Sequence, residues 1–146
     1  MTTPVLSAST LLALSRQGLS EAAATTASGQ RYALSHLAAL RATAAILSCR
    51  ARPTGPVGAA GVKRSRPRSA WVLLSSVAPE LTEWAEFFAA GARKRAAAEA
   101  GLAGVVTPRE ADDLLRDAQA FLSVVETTLA GTLSGATLSS RLSRTG

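Results

Sequence analysis

The sequence predicts an all-α protein, an antiparallel up-and-down bundle of four to five helices. Three observations lead there. Hydrophobic residues make up 47% of the chain and aromatic ones only 4%, and the apolar majority is alanine and leucine, the strongest apolar helix formers. Residues with β-branched side chains are scattered, so strands have little to build on. The apolar residues also recur three and four apart over long runs, the spacing of one helix face. At 146 residues the chain is long enough to bury a core of its own, and it reads as one domain over residues 1–130.

The first helix is expected over 5–26, carried by Leu6, Leu11, Leu12, Leu14 and Leu19. Gly18 and several Ser/Thr residues weaken its boundaries. After a turn at Ser28-Gly29, a second helix is expected over about 30–51, where Ala33, Leu37, Leu40, Ala44 and Leu47 form one apolar stripe. Residues 52–68 hold three prolines, three glycines and five basic residues, which makes a flexible basic loop between two helical hairpins.

Ser69 is placed to cap a third helix starting at Ala70, whose buried face is Trp71, Leu74, Val77, Leu81, Trp84 and Phe88. Pro79 falls inside that run. Its ring clashes with the carbonyl of residue 75 and removes one hydrogen bond, so a kink is expected there, or a second helix with Pro79 in its first turn. Residues 91–105 are expected to fray into a loop bounded by Gly101 and Gly104. The closing helix is the clearest element. "TPRE" at 107–110 puts Thr107 at the N-cap, Pro108 at the first helical position and Glu110 where a capping box needs it. Ala111, Leu114, Leu115, Ala118, Phe121, Leu122, Val125 and Leu129 then keep helical register. Residues 131–146 read as a disordered tail.

The formal charge is +6 and unevenly placed, with no acid between Glu21 and Glu80. Lys63, Arg64, Arg66 and Arg68 cluster in the loop, and Arg93, Lys94 and Arg95 form a second knot. Clustered positive charge attracts polyanions such as RNA, DNA or nucleotides. The other reading of the same residues is a solvated basic loop in an arginine-rich chain. No run approaches the roughly 20 apolar residues that span a bilayer, so no membrane partner is expected. The N-terminus lacks the basic start of a secretory signal, and Cys49 is the sole cysteine. A cytoplasmic location is the expectation.

Chemistry has few candidates. One histidine and one cysteine cannot build the usual zinc site, and no glycine-rich phosphate loop occurs, so neither metal nor cofactor is expected. Cys49 reads as a small buried hydrophobe rather than a nucleophile. Glu110, Asp112, Asp113 and Asp117 read as solvated helix surface, and Trp71 and Trp84 as core or dimer interface. Arg31 and His36, with four residues between them, are the one arginine–histidine pair at short range, with His36 as the candidate general base. On a regular helix their side chains stand about 140° apart, which argues for a histidine at the edge of the core or of a helix interface.

"RYALSHLAALRATAAIL" resembles the second helix of HEPN domains (higher eukaryote and prokaryote nucleotide-binding). "VTPREADDLLRDAQAFLSVVE" resembles their acidic, alanine-rich closing helix. "RPRSAWVLLSSVAPELTEWAEFFAAGARKRAAAEAG" looks like the third-helix region of a small actinobacterial HEPN-like family. The likeness covers about residues 8–130. It implies a helical bundle, frequent dimerisation and, for many members, RNA or nucleotide binding. Catalytic members carry an arginine, four to six residues, then a histidine near the start of the closing helix. Here that region offers Arg93, Arg95 and Arg109, and no histidine follows any of them. The resemblance thus implies a non-catalytic module that acts by association through dimerisation, a protein partner, or nucleotide or RNA contact. The alternative is a divergent ribonuclease or toxin component using Arg31 and His36 across a dimer.

Overall fold

The computed structural model describes residues 6–50, 69–102 and 104–144, with side chains described as far as Gly131. Among them are six α-helices and no strand: α1 (Ala8–Ala24), α2 (Ser28–Arg50), α3 (Ala70–Val77), α4 (Thr82–Ala90), α5 (Ala92–Glu99) and α6 (Pro108–Arg144). A 3-10 turn, Pro79–Leu81, joins α3 to α4. The chain is all-α, as its composition and spacing predict. The basic loop at 52–68, with Lys63, Arg64, Arg66 and Arg68, lies outside the described residues.

Several boundaries follow local chemistry. Ser7 caps α1, its Oγ accepting from the Thr10 N–H at 3.2 Å. Ser69 caps α3 in the same way, accepting from the Val72 N–H at 3.3 Å. Pro79 ends α3 and opens the 3-10 turn, the second of the two outcomes expected from its missing N–H. The capping box at α6 is reciprocal: the Glu110 N–H donates to Thr107 Oγ1 at 3.1 Å and the Thr107 N–H to Glu110 Oε1 at 3.2 Å.

α2 is the central helix and packs on α1, α6, α5 and α3. Its buried face differs from the expected stripe. Tyr32, Ser35, His36, Ala38, Ala39, Ala42, Thr43, Ala45 and Ile46 face inward, while Ala33, Leu37, Leu40, Ala44 and Leu47 stand half-buried on the flank. The reason is steric. Small residues let neighbouring helices approach, so a face of alanine and serine wins the centre although leucines occur at the same spacing beside it. At the α1–α2 contact, Ser15 Oγ donates to the Ala38 carbonyl at 2.7 Å in a buried bond. A β-carbon on Gly18 would stand 3.6 Å from Ala38 Cβ.

By length and mean hydropathy (23 residues, 1.2) α2 would also pass as a membrane span, against the expectation that no run comes near one. Half of its apolar window is buried inside the bundle, which accounts for the apolar content.

The core on the other side is aromatic. Phe88 is fully buried and stacks on Trp71 with ring centroids 5.2 Å apart. It also meets Phe121 at 5.2 Å and Trp84 at 6.2 Å. Trp71, Leu74, Phe121 and Leu122 are buried as expected, whereas Trp84 and Leu115 are only partly covered and pack at the edge of the core.

Two segments are more helical than expected. Residues 92–99 form α5 instead of fraying, because the run ARKRAAAE is made of good helix formers. α5 then ends on a Schellman motif: the Leu102 N–H reaches the Ala97 carbonyl at 3.2 Å and the Gly101 N–H the Ala98 carbonyl at 3.1 Å. Gly101 takes a φ of 76° there, a conformation only glycine adopts without strain. The backbone of α6 continues past Gly131 to Arg144, where a disordered tail was expected. No proline follows Pro108, so nothing sterically stops the helix.

Candidate functional site: the Arg31–His36 pair and the α4–α5 pocket

Arg31 closes the α1–α2 turn. Its Nε donates to the Ala22 carbonyl at 3.0 Å and its Nη2 to the Thr25 carbonyl at 2.6 Å. Nη1 pairs with Asp112 at the start of α6. The last carbonyls of a helix lack intrahelical partners and carry the negative end of its dipole, so a guanidinium is well matched to them. One side chain thus ties α1, α2 and α6 together.

His36 is 1% exposed, deeper than the core edge that its position on α2 suggested. Its Nε2 lies 2.8 Å from the Phe88 carbonyl. A carbonyl only accepts, so Nε2 carries the proton and donates. In the neutral ring Nδ1 is then a bare acceptor, and it has no partner among the described residues. The ring sits edge-on to Trp71 and Phe88, at 5.6 and 6.0 Å between centroids. Burial pushes the His36 pKa below its ordinary 6.5, and the neighbouring Arg95 pushes the same way. The Phe88 carbonyl and, to a lesser extent, the Glu99 carboxylate oppose that shift. The hydrogen bonds of the pair go to different neighbours: those of Arg31 to the α1–α2 turn and α6, that of His36 to α4.

The basic knot on α5 separates into three situations. Lys94 pairs with Glu110. Arg95 Nη1 pairs with Glu99 at 2.8 Å within the same helix, while its Nε is buried without a partner among the described residues. Arg93 is exposed and has no ion pair or hydrogen bond to any described residue. The acidic start of α6, expected as solvated surface, instead supplies clasps: Asp112 to Arg31 and Glu110 to Lys94. Cys49 is exposed rather than buried, because it lies near the end of α2, past the last buried turn.

A pocket of about 460 Å³ opens where α4, α5, α2 and α6 meet. Tyr32, Phe87, Gly91, Arg93, Lys94 and Glu110 are among the residues that line it. Phe87 is 46% exposed and Tyr32 is buried. Burial also raises the Tyr32 pKa, so the phenol keeps its proton. Its hydroxyl makes no hydrogen bond to a described residue. A larger hollow of about 610 Å³ lies between the start of α2 and the α5–α6 loop, lined mostly by alanine, glycine and leucine, with Glu99 as its one charged residue. It offers little to fix a polar ligand. The smaller pocket has the chemistry, with cations, a phenol and an aromatic face side by side.

Sequence reasoning found Arg93 and Lys94 by their charge and missed Tyr32, Phe87 and Gly91. The one available signal was Gly91, a lone glycine in a run of helix formers, where a close approach is the usual cause.

No curated protein and no solved structure matches the chain. A family description does: residues 22–126 match the SAV_6107-like HEPN family. That span takes in the Arg31–His36 helix, the aromatic core, the pocket and the first half of α6 as far as Glu126, and the chain belongs to the SAV_6107-like HEPN family.

Proposed function

We propose that this protein is a HEPN module that works by association and does not cut RNA. One observation carries the reading: the two residues that could have served as an arginine–histidine pair are both engaged in holding the bundle. Arg31 is held by two carbonyls and Asp112, and His36 is 1% exposed with Nε2 at the Phe88 carbonyl. A general base must reach the proton it takes, and His36, although it borders the α4–α5 pocket, is almost wholly buried with its Nε2 proton committed to the Phe88 carbonyl.

The association partner in this proposal is a polyanion, RNA or a nucleotide. Contact would run through Lys63, Arg64, Arg66 and Arg68, joined by Arg93, which has no ion pair among the described residues. Contacts of this kind read phosphate rather than base, so binding is expected to be indifferent to sequence. It should weaken with salt at a log–log slope of about 0.7 per phosphate neutralised on a single strand. The test is a titration of labelled single-stranded RNA at two salt concentrations, with the four loop residues replaced by serine in a second protein. Unchanged affinity would reduce the loop to a solvated linker. A cleavage assay runs beside it. RNA cutting that is abolished by His36→Ala, with the helical signal intact, would overturn the proposal in favour of a ribonuclease.

A further inference from the structure

We infer that the α4–α5 pocket binds a small aromatic acid, a flat ring carrying one carboxylate or phosphate. This goes beyond the proposed polyanion contact and does not depend on it.

Size comes first. About 460 Å³ falls within the range of small-molecule pockets, roughly 300–1,000 Å³. Charge sets the sign. Lys94 and Glu110 balance each other, and Arg93 at the rim has no partner among the described residues, leaving one uncompensated positive charge. A single anionic group answers it, and a guanidinium fork suits a carboxylate or a phosphate. The aromatic character comes from Phe87, which keeps 46% of its surface exposed at the pocket wall. A large exposed aromatic beside a cation is the arrangement that holds a flat ring by its face and its acid by the head.

Orientation comes from Tyr32. Its hydroxyl has no partner among the described residues and belongs to a residue that lines the pocket, so it is free to donate to a ligand. An acceptor on the ligand meets it. Gly91 keeps that hydroxyl in place, since a β-carbon there would come within 2.9 Å of it.

The probes are 2-naphthoate and 2-naphthyl phosphate, with 2-naphthol and inorganic phosphate as controls, titrated into the full chain by calorimetry. Both acids should saturate one site per chain, and 2-naphthol should bind about tenfold more weakly for want of one charge-assisted pair. Whichever acid binds more tightly names the head group, and equal affinity keeps the shared chemistry. Arg93→Ser should weaken the acids by about tenfold and leave 2-naphthol unchanged. Phe87→Ala should weaken all three ring compounds. Both changes fall on exposed side chains, so the fold, checked by circular dichroism, is retained. The inference is overturned if neither acid binds, if 2-naphthol binds as tightly as the acids, if inorganic phosphate binds as tightly as they do, or if Arg93→Ser changes nothing. The serine-substituted loop that tests RNA contact changes none of the described residues that line this pocket, so the two ideas fail separately.

Discussion

The phenolic oxygen of Tyr32 stands 2.9 Å from the place a β-carbon on Gly91 would take. Gly91 itself has φ −85° and ψ −4°, a conformation open to any residue, so the glycine is there for space rather than for backbone freedom. Alanine at this position would gain up to about 1 kcal/mol of helix propensity. It would also push against a rigid ring, and overpacking costs about 1–3 kcal/mol. Gly91→Ala should therefore destabilise the native chain. In a Tyr32→Phe background, where the obstructing oxygen is gone, the same change should stabilise. Urea melts of the four proteins decide it, and additive effects would show that the contact is not the constraint.

Acid should weaken the fold through His36. Its pKa is lowered in the folded state, so between that value and the unperturbed 6.5 the unfolded chain binds more protons. The stability that His36 contributes as a neutral ring is present above about pH 6.5 and is lost as pH falls through the folded value. Protonation would add an Nδ1–H with no acceptor among the described residues, beside two aromatic rings. His36→Gln should be less stable at pH 7.5 yet lose this part of the pH dependence between pH 7 and 5. A melting profile whose slope in that window is the same in both proteins would refute the assignment.

Removing the Arg31 side chain should cost about 2 kcal/mol, since it strips a charged donor from two carbonyls and a carboxylate. Arg31→Lys should recover only part of the loss, because an ammonium cannot reproduce the planar fork that reaches three acceptors. Chemical denaturation of both variants checks this. Full recovery with lysine would mean that charge alone matters at the α1–α2 turn.

Phe88→Ala should be among the most damaging single changes, at about 3–5 kcal/mol for a buried aromatic. Leu102, 59% exposed, should tolerate alanine within about 0.5 kcal/mol. Similar melting temperatures for the two variants would place the core elsewhere.

Much of this architecture was legible in the chain, and the misses share a cause. Caps and breakers act locally, so Ser69, Pro79 and the Thr107–Glu110 box announce themselves within four residues. The apolar spacing of Trp71, Leu74 and Phe88 likewise has few rival readings. α2 has many. Nearly every position on it is apolar or small, so leucines and alanines offer two stripes at the same spacing, and only the approach of α1 and α6 decides between them. His36 and Arg31 show the same limit from the chemical side. Their types suggested a site, but the carbonyls of Ala22, Thr25 and Phe88 that occupy them are backbone groups, which no pattern of side chains reveals. The pocket was hidden because Tyr32, Phe87 and Glu110 come from three separate helices.

The buried Ser15–Ala38 bond has a kinetic consequence. Its partners are 23 residues apart in sequence, whereas Arg31 and Asp112 are 81 apart. Closing the longer loop costs about 1 kcal/mol more chain entropy, and contacts close in sequence form sooner. The α1–α2 hairpin is therefore the natural nucleus, with α6 docking onto it afterwards. Ser15→Ala should slow refolding in stopped-flow traces, while Phe121→Ala, on the late-arriving helix, should mainly speed unfolding. A chain that assembles in this order exposes the inner face of α2 until its last helix arrives, so the hydrophobic surface at risk of aggregation during synthesis is the one that the finished bundle hides best.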